Sequence, residues 1–382
     1  MVAIVLAATL VTNLPARAGE PARTAGALQP FVDRHTLAGA VTLAATKDKV
    51  LDLEAMGFAD IAAHKPMRTD ALFWIASQSK PMTATALMML VDEGKVRVED
   101  PVEKYLPEFK GQMVVSEQDE DHVLLKKAAR PITVKDVLSH TSGMPFASRV
   151  EPKIDLHPLR EAVISYALTP LKSQPGTKYE YSNAGINIAG RIIETISGMP
   201  YEKFMEKRLF EPLGMKDTTC RPTARQLKRL AKSYKPDAAK TGLEETTVGQ
   251  LTYPLTDPQR GPSPAGGYFS TARDMARFCQ MILNGGVFEG KRYVSEASVK
   301  QMTNKQTGDG LKEGYGFGWA TGEDWCGHGG AYATNMMLDH KRGLILIYMV
   351  QHAGFPGDGA KSLDAFKQTA LNAFGSLARS PN

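Results

Sequence analysis

The 382-residue chain predicts an α/β protein of the α+β kind, with an antiparallel sheet flanked by helices and an all-helical subdomain. Three observations predict it. Near the start, "GAVTLAATKDKVLDLEAMGFAD" reads as two strands about the polar turn Lys47-Asp48-Lys49. Near the end, "YGFGWATG", "CGHGGAYA" and "NMMLDHKRGLILIYMVQ" read as further strands. Between them the chain is mainly helical and loop-rich. Both ends therefore build one sheet domain, residues 24-80 and 262-382, and residues 81-261 form the helical subdomain. Such a junction is a favoured place for a substrate cleft.

Taken in order, the first residues "MVAIVLAATLVTNLPARAGEP" join a short apolar run to Ala16-Arg17-Ala18, a small-x-small cleavage pattern that predicts a signal peptide over residues 1-18. No Lys or Arg precedes the run, a departure from that pattern. No later run reaches the length of a membrane span, so no stable membrane insertion is expected.

The stretch "FWIASQSKPMTATALMMLVDEG" predicts a buried helix that stops at Asp92-Glu93-Gly94. Pro81 belongs in a first helical turn, which starts the helix close to Ser77. Ser77 and Lys80 then share a face, beside backbone N–H groups that favour developing negative charge. That pattern supplies a nucleophile, a base and an anion site. An N-cap serine followed by a lysine that extends its head into water would read the same way.

Further on, "SEQDEDHVLLKKAARP" predicts an exposed hairpin or loop, and "NAGINIAGRIIETISG", "YEKFMEKRLFEPLG" and "SLDAFKQTALNAF" predict helices. In "PGTKYEYSNAG", Tyr181-Ser182-Asn183 stands between turn residues and a new helix. A phenol serves as a base at neutral pH only where a cation such as Lys80 stabilises the phenolate. Asn183 would orient Lys80 or a substrate carbonyl. In "WCGHGGAYA", His328, Gly329 and Gly330 lie on an edge strand, where glycines mark close approach by a backbone or a ligand.

Composition narrows the function. The +5 formal charge is spread among acids, with "LLKKAAR" the one modest basic cluster, so nucleic acid is not an expected partner. Cys220, Cys279 and Cys326 are widely spaced and predict no zinc site, metal or disulfide framework; no cofactor is expected. Cys326 lacks a cation to activate it as a thiol nucleophile. Ser263 in "GPSPA" approximates a nucleophile elbow without the strand-to-helix context, and His140 in "LSHTSG" reads as a structural turn residue.

The three segments in this order resemble the serine hydrolases of the penicillin-recognising fold, close to class C β-lactamases, DD-peptidases and family VIII carboxylesterases. Their pattern is S-x-x-K, Y-x-N, then K-T-G or a variant, matched here by Ser77-Gln78-Ser79-Lys80, Tyr181-Ser182-Asn183 and His328-Gly329-Gly330. "VLSHTSGMP", "PAGGYFSTARDMARF" and "YGFGW" extend the resemblance from about residue 27 to the last helix. It implies attack by Ser77 through an acyl-enzyme, with Tyr181 held by Lys80 taking the proton, and an oxyanion hole from the N–H groups of Ser77 and Ala331. Which of Lys80 and Tyr181 is the base is left open. A lysine at the third motif binds substrate carboxylates in typical β-lactamases; His328, neutral at pH 7, should weaken this and regain it on acidification. The reading is a carboxylesterase on short acyl esters with weak β-lactamase activity. Its alternatives are a class C-type β-lactamase, a DD-peptidase or D-amino-acid amidase, and a non-catalytic cell-wall-binding protein. A small ester or amide is the expected partner, a bacterial periplasmic or secreted location is expected, and oligomeric state is not legible.

Overall fold

The computed structural model describes residues 24–376; the signal-peptide pattern lies outside them. Strands β1 (Gly39–Ala45) and β2 (Val50–Asp60) form the expected hairpin, and β3 (Lys65–Pro66) pairs with β2. The other end of the chain adds β4 (Ala320–Thr321), β5 (Trp325–Gly329), β6 (Asn335–Asp339) and β7 (Leu344–Met349). The order across the sheet is β4-β5-β6-β7-β1-β2-β3, antiparallel throughout. The two ends meet where β1 pairs with β7, Val41 opposite Met349.

Both central strands are buried along their whole length. The period of two assigns Val41, Leu43, Ile345 and Ile347 to one core and Ala40, Ala44, Leu344 and Leu346 to the other. A sheet apolar on both faces needs a cover on each. Among the helices, α1 (Ser79–Asp92), α2 (Asn183–Ser197), α3 (Ala272–Leu283) and α4 (Ser362–Phe374) matter most here. Helix α4 closes the second core with Phe366, Ala370 and Phe374, spaced so that they share a face. Burying a side chain such as Phe366 contributes about 2 kcal/mol. Helix α3 adds Met275 and Cys279 to the first core.

Helix α1 is buried from Ser79 to Leu90, so it has no wet face. Its buried hydroxyls are satisfied: Thr85 donates to the Pro81 carbonyl at 2.9 Å within the helix, and Thr83 donates to the Pro264 carbonyl at 2.8 Å with the Tyr201 hydroxyl 2.6 Å away. The helix ends as its sequence predicts, with Gly94 at φ +72°. The charged insert forms the expected hairpin, Met113–Gln118 with Val123–Lys127, and the second strand is exposed throughout.

Two readings need correction. "YGFGWATG" is mostly not strand: only Ala320–Thr321 pairs regularly, with an isolated bridge between Tyr315 and Ala320. Aromatic residues alternating with glycines imitate a period of two, but Gly318, at φ +76°, is there because a Cβ would lie 2.8 Å from the Lys80 carbonyl. The middle of the chain also holds a second short hairpin, Ser233–Pro236 with Leu243–Thr246, besides its helices.

Candidate active site

A two-residue strand, Phe73–Trp74, runs into a single 3₁₀ turn over Ala76–Gln78 and then into α1. Ala76 takes φ +45°, a conformation that L side chains resist at about 1–3 kcal/mol. This turn leaves Ser77 partly exposed between buried neighbours. The strand-to-helix context that is missing at Ser263 is present here. Ser263 is buried at a turn with its hydroxyl unpartnered among the described residues.

One turn along, Lys80 is fully buried, with Nζ 3.0 Å from Ser77 Oγ, 2.7 Å from Asn183 Oδ1 and 2.8 Å from the Ala265 carbonyl. Burial pushes its pKa well below the ordinary lysine value. The geometry suits the neutral amine. Two of the neighbours are carbonyl oxygens that only accept, so a neutral amine here would turn its two N–H bonds to them and its lone pair to the Ser77 hydroxyl. The Ala265 carbonyl was missed in the sequence because a backbone atom carries no residue signature.

Asn183 opens α2, whose N-cap Ser182 accepts from the Gly185 N–H at 3.1 Å. The Tyr181 ring lies beneath Lys80, with Nζ 4.7 Å from its centroid. Burial pushes the Tyr181 phenol above its ordinary range, partly countered by the Ser77 hydroxyl beside it. A phenol so placed holds its proton, which runs against a phenolate that waits as the base.

His140 flanks Tyr181 with ring centroids 4.5 Å apart, and Tyr315 packs on both, 4.6 Å from His140 and 6.4 Å from Tyr181. His140 Nδ1 accepts from the Ser182 N–H, so it carries no proton, and burial above all holds the ring neutral. Sequence had left His140 as a turn residue. It is one, at φ +60°, but its ring also builds the site.

His328 sits on β5, where β4 covers only the first half of the strand, pairing with Cys326 and Gly327. Its Nδ1 lies 2.7 Å from the Gly329 carbonyl, which must accept, and Nε2 lies 3.0 Å from the Tyr315 hydroxyl, which then donates. Burial, then Lys80, pushes its pKa down to about 3. The expected recovery of charge on mild acidification therefore does not apply. Gly330 permits close approach: a Cβ would lie 2.6 Å from the Ile75 carbonyl and 2.1 Å from Thr334 Oγ1. Ala331 follows in an exposed turn, and neither its N–H nor that of Ser77 donates a hydrogen bond among the described residues. Cys326 is sealed in the core and burial raises its thiol pKa well above the usual range.

The antiparallel sheet, its helical layers and this serine-lysine-tyrosine cluster define a serine hydrolase of the β-lactamase and penicillin-binding-protein type. The chain belongs to the Beta-lactamase family, whose family model matches residues 24–370. It is 32% identical over 359 residues to "Protein Rv1367c" of Mycobacterium tuberculosis, covering 85% of this chain and 88% of that one. It is 30% identical over 345 residues to the "Putative D-alanyl-D-alanine carboxypeptidase" of Salmonella typhimurium, covering 81% of this chain and 75% of that one. In fold it is similar to "EstCE1, a hydrolase with promiscuous acyltransferase activity", with a TM-score of 0.76, 22% identity, and 91% and 97% of the two chains covered. Among the described residues no helix is long and apolar enough to cross a membrane.

Proposed function

We propose that the protein is a carboxylesterase that hydrolyses short acyl esters of uncharged substrates through a Ser77 acyl-enzyme. The observation that carries this reading is His328. A ring that is neutral, with one nitrogen donating to Gly329 and the other accepting from Tyr315, offers a substrate carboxylate neither charge nor a free donor. Weak β-lactamase activity fits the same machinery.

In this reading Lys80 takes the Ser77 proton as Oγ attacks the ester carbonyl. The N–H groups of Ser77 and Ala331 hold the oxyanion, each contributing about 3 kcal/mol. As the intermediate collapses, the carbonyl carbon to alkoxy bond breaks and Tyr181 gives its proton to the departing alcohol. The Lys80 ammonium over the ring then supports the phenolate. Water attacks the acyl-enzyme, losing its proton to Tyr181 as Lys80 returns one to Ser77. This assignment chooses Lys80 where the sequence left the base open between Lys80 and Tyr181. Asn183 holds Lys80, and Gly329 and Gly330 let β5 pass close to the acyl group.

The relative named as a D-alanyl-D-alanine carboxypeptidase favours the peptidase alternative. A panel of nitrophenyl esters, a cephalosporin and a D-alanyl-D-alanine peptide decides between them, with Ser77→Ala as the blank. Esters should be the fastest substrates, and His328→Lys should shift the kcat/KM ratio several-fold toward the anionic ones. A wild type that cleaves the peptide far faster than any ester would replace this reading with the peptidase. Absence of fluorophosphonate labelling would leave only a binding protein. The leader pattern supports a periplasmic or secreted location, which fractionation of the full-length chain checks.

A further inference from the structure

The segment between Met144 and Leu159 runs over the site without regular structure and is pinned at three places. The Phe146 carbonyl accepts the first N–H groups of α2, from Asn183 at 3.0 Å and Ala184 at 3.1 Å. The Ile154 N–H donates to the Gln250 carbonyl at 3.0 Å. Asp155 forms a buried ion pair with Arg260 at 2.7 Å, both about 1% exposed, and also accepts from the Thr252 N–H and hydroxyl. A loop held this firmly nevertheless leaves a phenylalanine in water. Phe146 is 52% exposed, and its ring stacks on Tyr181 with centroids 6.3 Å apart and planes 27° apart. Ile154 approaches from the same loop: a Cβ built on Gly266 would meet its Cδ1 at 3.4 Å and the backbone of Ala76, the residue before Ser77, at 3.8 Å.

Resting on the esterase reading, we propose that Phe146 is a specificity-determining residue that receives the alcohol half of the substrate, and that this half is apolar and bears a ring. Two points choose the alcohol half over the acyl half. In the proposed mechanism Tyr181 delivers a proton to the leaving alcohol, which would then depart along the Tyr181 side of the cleft, and Phe146 extends that aromatic surface outward. Offset stacking is the arrangement in which an aromatic ring adds attraction beyond its buried area. No charged group is needed on this wall, in keeping with a neutral His328 on β5. The favoured substrate class is a short acyl ester of an aromatic or cyclic alcohol.

The test compares wild type, Phe146→Ala and Phe146→Trp on two acetates, 1-naphthyl acetate and methyl acetate, each variant being referred to wild type on the same ester so that intrinsic reactivity cancels. Phe146→Ala should lower kcat/KM for the naphthyl ester about tenfold while methyl acetate changes less than about twofold, as expected for loss of one apolar contact. Phe146→Trp should restore the naphthyl ester. Labelling by diisopropyl fluorophosphate, which expels fluoride and needs no alcohol group, should proceed at the wild-type rate in both variants. Equal losses on both esters with normal labelling would overturn the alcohol-side assignment and leave the esterase reading standing. A wild type that takes the label but turns over neither acetate would instead remove the esterase reading.

Discussion

His140 grips Tyr181 from both flanks. Its carbonyl accepts the Glu180 N–H at 2.8 Å, its Nδ1 accepts the Ser182 N–H at 3.2 Å, and its ring lies against the tyrosine between them. This makes His140 a positioning residue for the phenol. His140→Ala should lower kcat/KM, which reports acylation, about tenfold or more for an alkyl ester, whose departing alkoxide needs a proton, and far less for a nitrophenyl ester, whose leaving group does not. A merely structural role would cost both esters equally, so paired kcat/KM measurements distinguish the two.

Replacing Lys80 by arginine separates a base from a fixed charge. Arginine stays protonated, so it could support a Tyr181 phenolate but cannot accept the Ser77 proton. Lys80→Arg should lose on the order of a thousandfold in acylation at every pH. Wild-type acylation should rise with pH along a limb lying below the ordinary lysine value, because burial lowers the Lys80 pKa. Stopped-flow burst kinetics across pH would measure both, and substantial acylation by the arginine variant would return the base role to Tyr181.

Gly330→Ala should push the end of β5 away from the nucleophile turn, since its Cβ would overlap the Ile75 carbonyl. Overpacking of this kind costs about 1–3 kcal/mol, visible as a lower Tm together with reduced kcat. At Gly329 the nearest atom to an added Cβ is 3.8 Å away, so Gly329→Ala should leave Tm unchanged. Calorimetry on the two variants gives the comparison, and equal Tm values would show that close approach is not what Gly330 provides.

Acidification should destabilise the fold through buried histidines. The pKa of His328 is lowered to about 3 and that of His352 to about 4, each first by burial, and that of His140 lies well below the ordinary value. A histidine with a depressed pKa takes up its proton only after unfolding, so stability is lost as pH falls below the unfolded value of 6.5. Each contributes about 1.4 kcal/mol per pH unit over that range. Buried Asp274, raised to about 6, acts in the opposite sense, its native-state proton being favoured as pH drops from about 6 to 3.8. His352→Gln keeps an acceptor for the Ala38 N–H, which donates to His352 Nε2 at 3.2 Å. Denaturant melts from pH 7 to 5 should therefore show a shallower loss in this variant, and an unchanged slope would mean that His352 is not involved.

Ser77, Lys80, Tyr181 and Asn183 were legible because short-range rules place them: i to i+3 spacing on a helix, a proline confined to a first turn, and turn residues before a new helix. The two strand pairs at the chain ends were legible from their period of two. What escaped was set by partners distant in sequence. The Tyr315 to His328 bond, the Ala265 carbonyl on Lys80 and the Phe146 stack on Tyr181 join segments with no local pattern in common. The glycine-spaced run from Tyr315 to Trp319 was misread because alternation appears in its composition but not in its pairing.

The seam at which β1 meets β7 also governs when the molecule can assemble. Val41 waits for Met349, roughly 300 residues later, so the middle of the sheet cannot close until nearly the whole polypeptide has been synthesised, and contacts of such high sequence separation slow folding. Until then the apolar faces of the first hairpin and the buried faces of α1 lack their covers. A truncated or stalled chain should therefore be a client for chaperones and proteases rather than a smaller folded domain.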